Sequence, residues 1–377
     1  MKILFCTNTF ENVRNGPAKF ASYLLEMNRL FQNVEIRILT EDISDHSASQ
    51  YRDRIYKLDL KLGRFTKPWG FAYRMFPYYK ACLAVKSTFA YDIVVFNNAI
   101  TGIWSSIFLG TPVIGMINDD NSLSIRWKNF SYTQKWFRHF IFKYLEKLAC
   151  LTETGILVNS RFLLDQVSKN YKIRPEKLHI LHKAVKTDTF PSNKSVDFQW
   201  PVKILFVKSD FIRGGLFDLI SALGLLKNYD FELQIVGPEE THKQEILNSN
   251  KYSNLTITFI GPASPEIVKN RMLNNDLFIV PSRQEALGVA NLEALAHGLT
   301  VISTNTGGIP EALNFGANGW MANPGKPNEL AQLIQQVIED PEERLIKQKN
   351  GFDYVRKNFS TEKVLNNFLE ILNRHVP

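Results

Sequence analysis

Residues 280–298 read Val280-Pro-Ser-Arg-Gln-Glu285-Ala-Leu-Gly288-Val-Ala-Asn-Leu-Glu293-Ala-Leu-Ala-His-Gly298. The apolar run ending at Pro281 predicts a strand, and the apolar spacing after Gly288 predicts a helix closed by His297-Gly298. In an open α/β sheet such a junction lies at the carboxyl end of a strand, where ligands bind. The first amides of the helix, from Gly288 to Ala290, suit a phosphate. Glu293, about one turn in, can accept two neighbouring hydroxyls, as a ribose presents them. Glu285, just outside the helix, can take hydroxyls from a group beyond the phosphates. The chemistry of these residues points to a nucleotide-linked polyol.

The same strand and helix alternation runs through the chain and predicts βαβ units with mostly parallel sheets. Strands are expected at 2–6, 34–40, 92–96, 113–117 and 155–159, then at 203–207, 232–236, 256–260, 277–280 and 300–303. Helices are expected near 161–169, 217–227, 240–249, 265–273 and 289–297, with three more at 326–339, 341–358 and 361–374. Both halves open alike: Lys2-Ile-Leu-Phe5 precedes Asn15-Gly16-Pro17, and Lys203-Ile-Leu-Phe206 precedes Arg213-Gly214-Gly215. Two Rossmann-like domains in tandem follow, over 1–190 and 200–358, joined through Asp188–Pro201. The last helix, in 361–377, is surplus to the second sheet and is expected to cross back to the first domain.

The 377 residues are 45% hydrophobic and 22% charged, which excludes disorder, collagen and disulfide-dense scaffolds. Residues 1–190 hold 27 Lys+Arg against 16 Asp+Glu, a net of +11, and the rest of the chain has 18 against 21, a net of −3. Cys6, Cys82 and Cys150 are widely spaced and odd in number, which fits a reducing compartment and a cytoplasmic location. The start Met1-Lys-Ile-Leu-Phe-Cys6 is too short an apolar run for a signal peptide. Ile93–Asn118 carries no charge, but Asn97-Asn98, Ser105-Ser106 and Gly110-Thr-Pro112 interrupt it. It reads as strand, buried helix, strand and not as a membrane span.

The Glu285/Glu293 frame resembles family 4 of the retaining glycosyltransferases, and the resemblance continues through Gly307-Gly-Ile-Pro-Glu311, Ala317-Asn-Gly319, Pro324-Gly325 and Asn358-Phe-Ser360. It is looser in the first half, at Asn15-Gly16-Pro17, Asn159-Ser160 and Asp188-Thr-Phe190. The resemblance implies the GT-B fold, two Rossmann-like domains facing across a cleft, and transfer of a sugar from a UDP- or GDP-linked donor without a metal or other cofactor. It implies a saccharide or lipid-linked acceptor in cell-surface polysaccharide or glycolipid synthesis. By position, Glu285 with the backbone of Ala286, Leu287 and Gly288 would hold the donor sugar. Val289 and Ala290 would meet the diphosphate, Glu293 the ribose, Gly261 the base and Gly16 the donor phosphate, with Ser209 also among the donor-binding residues. Glu285 would orient and would not act as nucleophile, and the departing phosphate would take the acceptor's proton.

Three departures from the family pattern stand out. The basic pair after the second domain's first strand is shifted: Gly214 holds the usual Lys position, and Lys208 and Arg213 are the substitutes. Asn118 replaces the usual His, so it can bond a sugar hydroxyl but cannot titrate. Ala286 and Leu287 replace the usual Gly and Phe.

Basic residues interleave with aromatics over 64–80 and 126–143, which suits a lipid headgroup surface or an acidic acceptor. No nucleic-acid motif accompanies them. Asp119-Asp120 lacks a third ligand for a metal, and His179 and His182 read as structural. Two rival functions remain at this point, a non-catalytic binder of carbohydrate or nucleotide sugar and a nucleotide-sugar isomerase of GT-B type.

Overall fold

The computed structural model describes residues 1–10, 19–25, 31–44, 54–60, 69–120, 123, 134–187 and 198–376. Gly16, the Asp188–Pro201 linker up to residue 197, and residues 64–68 and 126–133 of the basic-aromatic stretches lie outside them. The chain divides into two compact units, Met1–Lys183 with Val364–Pro377, and Ala184–Lys363.

In the first unit, β1 (Lys2–Thr7), β2 (Glu35–Thr40), β3 (Ile55–Lys57), β4 (Ile93–Phe96), β5 (Val113–Ile117), β6 (Gly155–Val158) and β7 (Leu178–Ile180) form a parallel sheet in the order β3-β2-β1-β4-β5-β6-β7. Helices α1 (Gly70–Thr88), α2 (Ala99–Phe108), α3 (Gln134–Thr152) and α4 (Arg161–Tyr171) alternate with the strands. The central strands are buried end to end because helices cover both faces of a parallel sheet, so they read as apolar runs and not as alternation. Ser160 starts α4 by accepting the amide of Leu163 at 3.1 Å.

In the second unit, β8 (Val202–Val207), β9 (Phe231–Val236), β10 (Leu255–Gly261), β11 (Leu277–Ile279), β12 (Thr300–Thr304) and β13 (Trp320–Ala322) are again parallel, in the order β10-β9-β8-β11-β12-β13. They alternate with α5 (Leu216–Leu225), α6 (Lys243–Ser249), α7 (Pro265–Leu273), α8 (Val289–Ala296) and α9 (Ile309–Ala312), followed by α10 (Pro327–Glu339) and α11 (Pro341–Asn358). In each sheet the chain starts in the middle, winds outward one way, and then returns to wind the other way. The switch points are β1/β4 and β8/β11, where adjacent carboxyl ends open a crevice between diverging connections.

The last helix, α12 (Thr361–Asn373), belongs to the first unit from Val364 onward, as expected. Phe368 meets Phe20 edge to face at 5.6 Å, and Asn367 donates to the carbonyl of Ile180 at 3.1 Å. His375 lies 2.9 Å from His179, nitrogen to nitrogen, and burial holds the His179 imidazole down at about 4, so it is neutral and structural. The helix within Ile93–Asn118 departs from expectation. It is α2, and one face of it is exposed, at Trp104, Ile107 and Phe108.

Two buried carboxyls sit on or beside α3. Glu153 fills room made by two glycines: a Cβ at Gly115 would lie 1.9 Å from its Oε2, and one at Gly102 2.3 Å from its Oε1. Burial pushes its carboxyl well above the ordinary carboxylate range. Glu146 accepts the Tyr171 hydroxyl at 2.6 Å, and burial raises it to about 7 against the downward pull of that bond. The native state therefore holds this proton from the ordinary carboxylate range up to about pH 7 while the unfolded chain has released it, and stability falls as pH rises through that window. The cost is at most about 3 kcal/mol above pH 7. Glu146→Gln keeps the acceptor oxygen and removes the titration. Urea unfolding should show the variant gaining about 1–3 kcal/mol on the parent at pH 8 and nothing below pH 5. An equal difference at both pH values would refute this account.

Candidate active site

The segment 280–298 folds as its reading predicts. Strand β11 ends at Ile279, the loop carries Glu285, and Gly288 turns into α8 at φ +87°, a left-handed conformation that a side chain would strain. The N-cap, Gly288, has no side chain to cap the first amides of α8, which begins just beyond the carboxyl end of β11 at the β8/β11 switch point. Glu293 lies one turn in, half-buried.

The loop after β8 comes to the same place. The Lys208 ammonium donates to Glu285 Oε2, and the amide of Ala286 donates to Oε1 at 3.2 Å. A lysine and a carboxylate separated by 77 positions in sequence thus meet where two central strands end, each side chain about one-fifth exposed (20% and 24%). Backbone contacts fix the two loops together. Arg283 N donates to Arg213 O at 2.7 Å, and a Cβ on Gly215 would stand 2.1 Å from Pro281 O. Gly307 and Gly308 close the floor: Gly308 N donates to Glu285 O at 3.2 Å, and Cβ atoms there would lie 1.7 Å from Glu285 O and 2.2 Å from Ala286 O. Gly237 and Gly261 sit at the ends of β9 and β10, with Gly237 N donating to Gly261 O at 2.8 Å, and Gly237 packs against the Lys208-Ser209 backbone.

Arg213 takes a different place from Lys208. Its guanidinium lies 3.4 Å from Asp210, both half-exposed, and its amide donates to the same carboxylate at 3.0 Å. Asn118 belongs to the first unit, at the end of β5. Its Nδ2 donates to Asn97 O at 2.7 Å, its Oδ1 accepts the Lys183 ammonium, and Asn159 Nδ2 donates to Asn118 O at 2.8 Å.

Two family models match, one to each half: Glycosyltransferase Family 4 over residues 22–189 and Glycosyl transferases group 1 over residues 192–353. The chain belongs to the GT-B glycosyltransferases. It is 29% identical over 222 residues to an uncharacterized glycosyltransferase of Methanocaldococcus jannaschii, covering 59% of this chain and 60% of that one. It is 24% identical over 249 residues to the capsular polysaccharide biosynthesis glycosyltransferase CapM of Staphylococcus aureus, covering 61% and 64%. The chain thus spans less than two-thirds of the length of these curated relatives. Among solved structures, a glycosyltransferase from Rickettsia africae superposes with a TM-score of 0.72 at 20% identity, over 98% of this chain and 97% of that one. Anabaena HepE in complex with UDP and glucose superposes with a TM-score of 0.70 at 17% identity, over 99% of both. These superpositions establish the GT-B fold.

Within this glycosyltransferase, two groups beside predicted site residues, one in each unit, were not singled out from the sequence. Arg283 clamps Asp218 on α5 in a bidentate pair, at 2.8 and 2.7 Å, and so braces the Glu285 loop from beneath. Its position in the quoted stretch was visible, but its partner 65 residues earlier was not. In the first unit the buried Lys183 was missed. Burial brings its ammonium down to about 8, Asp119 opposes the shift, and it anchors the Asn118 carboxamide.

Proposed function

We propose that this chain transfers a sugar, with retention of anomeric configuration, from a nucleoside-diphosphate sugar to a saccharide or lipid-linked acceptor in cell-surface polysaccharide or glycolipid synthesis. The observation that carries the reading is the Lys208–Glu285 pair beside the uncapped start of α8 at the β8/β11 switch point. A diphosphate there meets helix amides and an ammonium, and both stabilise the charge that grows on it as the glycosidic bond breaks. Glu285 then orients the sugar hydroxyls, and Glu293 takes the ribose.

In the transfer step the bond from anomeric carbon to phosphate oxygen breaks while the acceptor oxygen bonds the same carbon on the same face. The acceptor's hydroxyl proton passes to the departing phosphate, so no metal or other cofactor enters. Asn118, Gly16, Ser209 and Gly261 complete the assignment, and Arg213 serves the phosphates by turning from Asp210. CapM is named for capsular polysaccharide biosynthesis and HepE was crystallised with UDP and glucose, which favours a UDP-linked donor and a saccharide acceptor. The basic first half points to an anionic acceptor or membrane surface, reached from the cytoplasmic side.

The test is release of nucleoside diphosphate from a panel of UDP- and GDP-sugars, with saccharide and lipid-linked acceptors present. One donor should turn over in the presence of an acceptor and give a product of unchanged anomeric configuration. Tight binding of a nucleotide sugar without turnover across the panel would instead establish a binder.

A further inference from the structure

Helices α1, α2 and α3 of the first unit pack side by side, with α2 in the middle. A helix lying on a sheet ordinarily turns a polar stripe to water. The sequence of α2, Ala-Ile-Thr-Gly-Ile-Trp-Ser-Ser-Ile-Phe, has no charge at all. Its inner face, Ala99, Ile100 and Ile103, is buried in the core, and its outer face presents Trp104, Ile107 and Phe108 at 39%, 50% and 57% exposure. These are one helical turn apart and form a single stripe.

The stripe joins α1 through a closed circuit of rings. Phe76 lies 5.4 Å from Trp104, Trp104 5.5 Å from Phe108, Phe108 6.1 Å from Tyr79, and Tyr79 6.4 Å from Phe76. On the far side of α2, α3 exposes Phe140 and Tyr144. A contiguous apolar patch of this kind on a folded surface marks an interaction site.

The exposed charges that these three helices themselves carry are of one sign. Neither α1 nor α2 contains an Asp or Glu, and the only one in α3, Glu146, is buried against Tyr171. Lys80 stands 4.7 Å over the Phe76 ring, and Arg138, Lys143 and Lys147 lie along α3. Aromatic rings bordered by lysines and arginines match the boundary of a bilayer, where rings settle among headgroups and cations meet anionic lipid. No described helix is long and apolar enough to cross a membrane.

We infer that the face formed by α1, α2 and α3, centred on Trp104 and Phe108, docks on the surface of an anionic bilayer. The inference extends the acceptor side of the proposed function, but its test reads lipid binding, so it can fail while the transfer reading stands.

The full chain is sedimented with vesicles of phosphatidylcholine alone and with vesicles containing roughly one-third phosphatidylglycerol. Anionic vesicles should bind it at low salt, neutral ones at least about tenfold more weakly, and salt should release it. The double variant Trp104→Ser/Phe108→Ser should lose about tenfold or more in binding to anionic vesicles, with its circular dichroism and unfolding temperature kept, because both side chains are exposed. Lys143→Glu/Lys147→Glu should abolish the preference for anionic vesicles. Failure to bind either vesicle overturns the inference, and so does equal binding by the aromatic variant. A lipid-independent dimer that the aromatic variant dissociates would assign the patch to a second copy of the chain instead.

Discussion

Glu285→Gln is expected to lower sugar transfer by about a thousandfold or more, with a much smaller change in the donor's KM. The carboxylate accepts the Lys208 ammonium on one oxygen and the Ala286 amide on the other. An amide can accept on one side only, and its NH2 group turns a donor toward either Lys208 or Ala286. Lys208 then loses the group that fixes its direction, and a misplaced cation is a poor stabiliser of a leaving phosphate. The defect belongs to the transition state and so appears in kcat.

Glu293→Ala should behave in the opposite way. Glu293 lies a helical turn inside α8 and is assigned to the ribose. Its loss removes binding made equally in ground and transition states. The donor KM should rise about tenfold or more with kcat nearly kept. Steady-state kinetics with the preferred donor separates the two, and wild-type rates in both variants would remove the assignment.

The legibility of this chain follows the length of the feature. Central strands such as Val113–Ile117 were read to the residue because burial on both faces leaves a continuous apolar run, and Pro341–Asn358 because the Asp340 cap and Pro341 punctuate its start. The edge strands β3, β7 and β13 have three residues each, too few to show a period. Helix α2 was placed but read as buried throughout. Apolar composition says that a residue can be buried, not that a partner is there to bury it, and Trp104 shows the difference. At the site, local features such as the Gly288 turn were in the sequence. The pairings Lys208 with Glu285, Arg283 with Asp218 and Lys183 with Asn118 are made by topology. Lys208 and Glu285 follow the neighbouring strands β8 and β11, Arg283 reaches Asp218 on α5, and Lys183, after β7, reaches past β6 to Asn118 after β5, none of which spacing along the chain encodes.

The second large effect is expected at Gly307, a residue that touches the site only through backbone. Its φ is +57°, and a Cβ there would stand 1.7 Å from the carbonyl oxygen of Glu285 and 2.8 Å from its carbonyl carbon. In Gly307→Ala two costs arise, and they can be told apart. The left-handed backbone costs about 1 kcal/mol wherever it occurs. The collision is specific to this position: the neighbour is main chain, with no side chain to swing away, so the Glu285 loop must move. A displacement of about 1 Å in a catalytic group costs on the order of a hundredfold in rate. Gly325 supplies the control, with φ +71° and nothing within 4 Å of its added Cβ. Gly325→Ala should lose a similar increment of stability and keep its activity, whereas Gly307→Ala should lose about a hundredfold in kcat/KM. Thermal unfolding and donor kinetics on the two variants give the comparison. If both alanines cost the same in rate, backbone strain and not the position of Glu285 governs transfer. If neither costs any, the Gly307-Gly308 turn does not set the position of the catalytic loop.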